Sequence, residues 1–117
     1  MEIKAGDIVL CEFYFTDSKT GKNRPVLVLK DNLPFDDFIA IPISSQIKTL
    51  HRDEVLLEPH DFSEGDIPKV SKVILRKTFV VSKQVVIKRY GRLTSNSLDK
   101  YKTLFCHYFE CGKTHDQ

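Results

Sequence analysis

The sequence contains no long apolar run. No segment approaches the ~20 consecutive apolar residues that a membrane-spanning helix needs, and residues 1–7 lack the apolar stretch of a signal peptide. Internal repeats and low-complexity segments are absent as well. We therefore expect a cytoplasmic protein with no membrane partner.

Cysteines are few and the net charge is small. The three cysteines are an odd number in a chain without an export signal, which makes a disulfide framework improbable and favours reduced thiols. Cys11 lies within an apolar run and is predicted to be a small core residue. The formal net charge is only +2, so a surface that binds nucleic acid would have to be a local concentration of positive charge.

What the chain does contain is typical of one small globular domain. It has 117 residues, of which 41% are hydrophobic and 29% charged, a composition unlike that of disordered chains. A chain of this length buries roughly two-thirds of its unfolded surface around one core. We therefore expect a single domain over residues 1–117.

Strand patterns dominate most of the chain. Short segments rich in β-branched and aromatic residues alternate with turn-forming residues. They predict strands over 7–15, 25–29, 37–43, 53–58, 71–75 and 85–90, with 78–81 as a further candidate. The first two form a hairpin with a long loop over 16–23, and residues 59–69 are predicted to be a surface loop. Pro42 indicates that the third strand ends, bulges or lies at an edge there.

The hydrophobic period changes after Gly91. Six apolar residues then recur at helical spacing and form one stripe: Leu98, Tyr101, Leu104, Phe105, Tyr108 and Phe109. Thr94 or Ser95 can cap the N-terminus of this helix, and Gly112 can end it. Five to seven short strands followed by one amphipathic helix predict a mainly β fold, a small, twisted, partly closed antiparallel barrel with the helix packed against it.

A single arginine precedes the second predicted strand. Arg24 lies at the end of a loop, and Pro25 restricts its backbone to extended conformations. A guanidinium held at the mouth of a strand can bind a phosphate bidentately, and it stays charged at any physiological pH. The alternative is that Arg24 is a solvated loop cation, as many arginines are.

Polar residues follow the third predicted strand. The segment 41–47 places the hydroxyls of Ser44 and Ser45 at the end of that strand, where they could donate to phosphate oxygens. The alternative is an ordinary turn, in which the hydroxyls bond to their own backbone.

Four short motifs, taken together, resemble the MazF/PemK family of toxin endoribonucleases. They are Gly6-Asp-Ile-Val9, Asn23-Arg-Pro-Val-Leu-Val28, Ile41-Pro-Ile-Ser-Ser-Gln46, and Lys83 to Leu93, which ends in Tyr-Gly-Arg-Leu. Their order and spacing match over most of the chain. The resemblance implies an SH3-like barrel of the CcdB/MazF kind, a homodimer, a cognate antitoxin, and cleavage of single-stranded RNA without a metal or other cofactor.

The resemblance also implies roles for individual residues. Arg24 falls on the family's catalytic arginine, which stabilises charge on the phosphoryl oxygens while the ribose 2′-hydroxyl attacks. Ser44 falls where most members have a catalytic threonine, and its hydroxyl can bind the same phosphate. The neighbouring loop and turn are expected to border the RNA groove, so the predicted RNA-binding residues are Lys19, Lys22, Ser45, Gln46 and Lys48.

The loop before Arg24 departs from the family pattern. Many relatives carry a glycine-rich stretch with a glutamate there, whereas this chain has Ser18-Lys-Thr-Gly-Lys22. The obvious general base is therefore missing, and arginine is a poor proton acceptor. Asp17 and His51 are the candidates for the base, while the lysines of the loop suit contact with the RNA backbone better than acid–base chemistry.

Two other clusters have a structural interpretation beside a functional one. Four potential zinc ligands lie near the C-terminus, namely Cys106, His107, Cys111 and His115. Their spacing is poor for zinc and favours an ordinary frayed C-terminus, so no metal site is expected. Four cations of the last strand region could follow an RNA backbone or form a solvated face: Lys83, Lys88, Arg89 and Arg92.

Two classes of function are therefore open. The first is an RNA-cleaving toxin, inhibited by an antitoxin whose disordered, acidic segment folds over the RNA groove. The second is a non-catalytic binding module on the same barrel, either a degenerate RNA binder or a protein like the CcdB-type toxins, which poison DNA gyrase through protein contacts. Arg24 and Ser44 favour the nuclease, and the loss of the acidic loop residue favours the binding module.

Overall fold

The computed structural model describes residues 2–13 and 21–112, which form eight β-strands and one α-helix. The strands are β1 (Asp7–Phe13), β2 (Lys22–Leu33), β3 (Asp37–Ser44), β4 (Glu54–Leu57), β5 (Phe62–Gly65), β6 (Ser71–Ile74), β7 (Phe79–Ser82) and β8 (Val86–Leu93). The helix is α1 (Ser95–Tyr108). Short 3-10 turns over Pro34–Asp36, Pro59–Asp61, Leu75–Lys77 and Lys83–Val85 complete the architecture.

All eight strands belong to one curled antiparallel sheet. Seven of them lie in the order β4-β6-β3-β2-β1-β8-β5, and β7 pairs with β3 beside β6. Register shifts interrupt the β1–β8 and β2–β3 pairings, and such irregularities bend and twist a sheet locally. The mainly β class, with a partly closed antiparallel sheet and one C-terminal helix, is confirmed.

The centre of the sheet is buried on both faces. In β2, Leu27 and Leu29 belong to the core cluster that includes Tyr101 of α1, whereas Val26 and Val28 belong to a second cluster with Phe38 and Cys11. Because side chains alternate between the faces of a strand, a strand buried on both faces shows a continuous apolar run. Cys11 is fully buried, as predicted, and its burial raises the pKa of the thiol to about 11.

A buried carboxylate fastens α1 to the sheet. Asp61 is fully buried and accepts hydrogen bonds from Ser97 Oγ at 2.8 Å, Lys100 Nζ at 2.9 Å and Tyr101 Oη at 3.2 Å. The helix begins as predicted, because Thr94 Oγ1 accepts from the N–H of Ser97 at 3.0 Å. The 3-10 turn that carries Asp61 thereby fixes the first two turns of α1.

The apolar stripe of α1 is buried only in its first half. Tyr101 is fully buried, but Tyr108 and Phe109 are 42% and 44% exposed. The helix ends at Tyr108 rather than near Gly112. Backbone hydrogen bonds continue to Cys111, so residues 106–111 are not frayed as the sequence suggested, and His115 lies outside the described residues.

Each of the two strand prolines has a paired strand on one side only. Pro25 was predicted to be the first residue of its strand, but β2 starts at Lys22, so Pro25 lies inside it. The pairing of β2 with β3 begins only at Val26, so the side of Pro25 that faces β3 has no paired strand. In β3, β7 pairs with residues 37–40 and β6 with residues 43–44. Pro42 falls between these two partners, so its missing N–H interrupts neither ladder.

The prediction of a simple loop over residues 59–69 was wrong, because β5 lies within it and pairs with β8. Gly65 has φ +70°, and a Cβ added there would collide with the backbone of Tyr90. The two backbones approach closely at Gly65 and Gly91, which only glycine permits. β8 also extends past the predicted end to Leu93.

Candidate active site

A cavity of about 580 Å³ opens where β2 begins and β3 ends. The antiparallel register pairs Val26 with Pro42, and continuing it by two residues places Arg24 opposite Ser44. Both residues line the cavity. The order of the two strands therefore brings together two candidates that are 20 positions apart in the chain.

Arg24 is exposed and weakly held. Its Nη1 donates one long hydrogen bond, 3.5 Å, to the carbonyl of Asn23, and within residues 2–13 and 21–112 no carboxylate forms an ion pair with it. The guanidinium fork is therefore available for an anion from solution.

Ser44 begins a tight turn at the rim of the cavity. Its Oγ accepts from the N–H of Gln46 at 3.1 Å, which is the turn geometry expected of a serine after a strand. The hydroxyl proton is not used in this bond and can be donated to a ligand. Ser45 and Gln46, two of the predicted RNA-binding residues, line the same cavity.

Three further cationic or aromatic side chains line the cavity, and sequence reasoning missed them. Lys69, Lys77 and Tyr90 line it beside Arg24. They come from the loop before β6, the 3-10 turn after β6, and β8, so only the sheet order brings them together. The described part of the lining contains three cations and an aromatic ring, but no carboxylate and no histidine.

The remaining predicted residues lie elsewhere. Lys22 and Lys48 are exposed and do not belong to the lining of this cavity. Lys19 and Asp17 lie outside the described residues. His51 lines a different cavity, of about 990 Å³, between β4 and the end of α1, so the structure does not bring this general-base candidate to Arg24.

A family model identifies the chain. The model of the PemK-like, MazF-like toxins of type II toxin–antitoxin systems matches residues 4–109. The chain belongs to this toxin family. Among curated proteins no sequence match is found.

Solved structures share the fold of this MazF-like chain. A MazE–MazF complex from Deinococcus radiodurans has a TM-score of 0.74 at 19% identity, covering 94% of this chain and 97% of that one. An endoribonuclease from a mycobacterial species, in complex with its cognate antitoxin, has a TM-score of 0.72 at 15% identity, with 97% and 100% covered. The Mycobacterium tuberculosis toxin MazF-mt6 has a TM-score of 0.65 at 18% identity, with 89% and 96% covered.

In this MazF-like chain most cations of the β8 region are engaged in structural contacts. Arg92 Nε lies 2.7 Å from Oδ1 of the buried Asp7, and this hydrogen bond raises the pKa of Arg92. Arg89 pairs with Glu64, and Lys83 Nζ lies 3.8 Å from Asp36 Oδ1. Lys88 Nζ lies 5.0 Å from the centre of the Tyr90 ring. These contacts favour the structural interpretation of the four cations over an RNA-tracking row.

A buried ion network supports the segment after Ser44. Lys72, which pairs with Ser44 in the β3–β6 ladder, donates from Nζ to Glu54 Oε1 at 2.7 Å and to the carbonyl of Thr49 at 2.9 Å. The backbone N–H of His51 and the Lys72 ammonium lower the pKa of Glu54 to about 2. The network therefore ties Thr49 and His51, which follow the Ser44 turn, to β4 and β6.

Neither a metal cluster nor a membrane span is found in the described chain. Residues 2–13 and 21–112 contain no group of three histidine, cysteine or acidic side chains placed to hold a metal ion. In the same residues, no helix has both the length and the hydrophobicity to cross a membrane.

Proposed function

We propose that this protein is an endoribonuclease toxin that cleaves single-stranded RNA in the cavity of Arg24 and Ser44. The observation that carries the proposal is that a free guanidinium and a strand-end hydroxyl line one cavity whose described lining is cationic. Membership of the MazF-like toxin family supports the class of activity. We further propose that it acts in the cytoplasm, without a metal or other cofactor, as one domain over residues 1–117.

In the proposed reaction the ribose 2′-oxygen attacks the adjacent phosphorus, and the bond from phosphorus to the 5′-oxygen breaks. The products are a 2′,3′-cyclic phosphate and a 5′-hydroxyl, whose oxygen takes a proton from water as the bond breaks. The Arg24 fork binds two phosphoryl oxygens and stabilises their charge in the transition state. Ser44 donates a hydrogen bond to the same phosphate, and Lys69 and Lys77 attract the flanking phosphates. Tyr90 offers a surface on which an unpaired base stacks.

The reaction needs a group that removes the 2′-proton, and the described lining offers neither carboxylate nor histidine. We propose Asp17, in the segment that leads into β2, as this base. An Asp17→Asn variant should bind RNA normally and cleave it at least tenfold more slowly, because general base catalysis contributes ~10²–10⁴-fold. Unchanged single-turnover cleavage by this variant would exclude Asp17.

The same absence of a base favours a second candidate, a non-catalytic RNA-binding module. It predicts the same affinity for RNA but no cut ends. The two functions are separated by incubating the purified protein with a mixed-sequence single-stranded RNA in EDTA and mapping the ends that form. A recurrent sequence at the cut sites would show that cleavage is sequence-selective, with bases read at the rim of the cavity.

The decisive variants are Arg24→Ala and Arg24→Lys. Both should lose at least ~10²-fold in cleavage rate, because lysine keeps the charge but not the bidentate fork. Lys102→Ala, which removes an exposed cation of α1 outside the cavity, is the matched control and should cleave like the wild type. An RNA with a single 2′-deoxy sugar at the cut site should stay intact. Cleavage of that substrate, or full activity of Arg24→Ala with an unchanged circular dichroism spectrum, would refute the assignment.

We also propose that the protein works as a homodimer and is inhibited by a cognate antitoxin. In such a dimer the segments 17–23 and 44–48 of both copies would border one groove, long enough for several nucleotides and with doubled positive charge. An acidic, disordered antitoxin segment would cover that groove by charge complementarity. Sedimentation velocity at micromolar concentration tests the dimer, and a single species near 13.5 kDa with full ribonuclease activity would refute it.

A further inference from the structure

The end of α1 forms a Schellman motif. Glu110 has a positive φ of 59°, its N–H donates to the carbonyl of His107 at 3.4 Å, and the N–H of Cys111 donates to the carbonyl of Cys106 at 2.8 Å. These are the 5→2 and 6→1 hydrogen bonds that define the motif. The 6→1 bond joins the backbones of the two exposed cysteines, Cys106 and Cys111.

The motif also makes the side chains of the two cysteines neighbours. The residues joined by a 6→1 bond commonly pack their side chains against each other, and the nearby Cys111 thiol raises the pKa of Cys106. Disulfides join residues whose Cα atoms are about 5.5–6 Å apart, a separation comparable to that across a 6→1 hydrogen bond. Both thiols are free and exposed, so an oxidant in solution can reach them.

We propose that Cys106 and Cys111 are a thiol–disulfide site that closes reversibly across the C-terminus of α1, with a small disulfide of the glutathione class as the oxidant. One cysteine thiolate attacks a sulfur of oxidised glutathione, forms a mixed disulfide and releases one reduced glutathione. The second thiolate attacks the protein sulfur of the mixed disulfide and releases another. The two thiols lose two protons, and their two electrons reduce the glutathione disulfide.

The disulfide closes a ring that contains part of a cavity wall. His107, Tyr108 and Glu110 lie between the two cysteines and line the cavity of about 990 Å³ beside β4. None of them lines the Arg24 cavity, so this site is independent of the proposed ribonuclease chemistry. Oxidation holds this wall of the larger cavity in the conformation of the Schellman motif.

The site is tested by mass spectrometry of the whole protein equilibrated in buffers of reduced and oxidised glutathione. Trypsin cleavage after Lys102 and Lys113 releases a peptide with Cys106 and Cys111 and no third cysteine, and the disulfide makes it lighter by two hydrogen atoms. Cys11→Ser should behave like the wild type, because Cys11 is buried. Cys106→Ser and Cys111→Ser should give only mixed disulfides with glutathione.

A second measurement tests whether the fold places the thiols together. The equilibrium constant for forming the disulfide should be at least ~10-fold larger in the native protein than in urea, because the native turn raises the effective concentration of one thiol at the other. An equal or smaller constant in the native protein would overturn the proposal, and so would cross-linked chains on non-reducing gels in place of the internal disulfide.

Discussion

Replacing Asp61 with asparagine should destabilise the protein more than any change at a surface carboxylate. The Asp61 side chain is fully buried, with Oδ2 accepting from the N–H of Glu58 at 2.8 Å and from Tyr101 Oη, and Oδ1 accepting from Ser97 and Lys100. Asparagine has nearly the same shape but turns one of these oxygens into an NH₂ group. In either orientation of the amide, that NH₂ faces groups that now donate to Asp61.

The magnitude follows from the groups that lose a partner. A buried donor left unpaired costs about 1–3 kcal/mol. Loss of the ion pair with Lys100 adds at most ~1 kcal/mol to this destabilisation, because the partly exposed lysine ammonium can be solvated instead. We therefore expect a loss of about 2–4 kcal/mol, a large share of the ~5–15 kcal/mol that stabilises a typical domain.

The effect should also depend on pH. Burial by itself raises the pKa of Asp61, but the hydrogen bonds from Glu58, Lys100 and Ser97 outweigh it, so the pKa lies below its usual value in the folded protein. A carboxyl group with a depressed folded pKa stabilises the fold above its unfolded pKa of ~3.9 and loses that contribution as the pH falls through the folded pKa. The difference between wild type and Asp61→Asn should be complete at neutral pH and shrink in acid.

Urea unfolding followed by far-UV circular dichroism measures this difference by linear extrapolation. Asp99→Asn is the matched control, because it neutralises an exposed carboxylate on the same helix, and it should change the free energy of unfolding by less than ~0.5 kcal/mol. The reasoning is refuted if Asp61→Asn is no more destabilising than Asp99→Asn, or if its effect is the same at neutral and acidic pH.

Three further changes test other parts of the structure. Ser44→Ala should slow RNA cleavage at least tenfold while Ser44→Thr retains it, measured as initial rates on one short oligonucleotide; equal rates for the two variants would remove the hydroxyl from the mechanism. Gly65→Ala should lower the free energy of unfolding, measured with urea, by more than ~2 kcal/mol, because the added Cβ collides with the β8 backbone. Gly112→Ala is the control: its φ is also positive but its surroundings are open, so it should lower the free energy by about 1 kcal/mol or less. Similar losses for the two variants would contradict the close approach of β5 and β8. Lys77→Gln should weaken RNA binding equally for all sequences and reduce the slope of log affinity against log salt by about one; an unchanged slope would place Lys77 away from the RNA backbone.

Local patterns in the sequence predicted the parts of the structure that depend on local burial. The continuous apolar run of β2, the helical stripe through Tyr101, the Thr94 cap and the buried Cys11 all follow from side-chain size, polarity and period. Ser44 lies at the end of a strand, as predicted. Arg24 was predicted to precede the second strand but lies inside β2, which begins at Lys22. The pairing of β2 with β3 and the shared cavity bring the two residues together. Their roles in RNA cleavage stay a prediction.

Only the tertiary structure decided which distant segments meet. β5 forms because the edge of β8 is free to pair with it. The backbone hydrogen bonds that hold β5 leave no strand-like alternation in its four residues, Phe62-Ser-Glu-Gly65. Lys77 and Tyr90 line the Arg24 cavity because the order of the strands places them beside it. Arg92 donates a hydrogen bond to the buried Asp7, which lies 85 positions away in the chain. The period of hydrophobic residues along the chain indicates which residues are buried. The role of a charged group or a thiol depends instead on the residue it contacts, and that contact is set by which distant segments pack together in the fold.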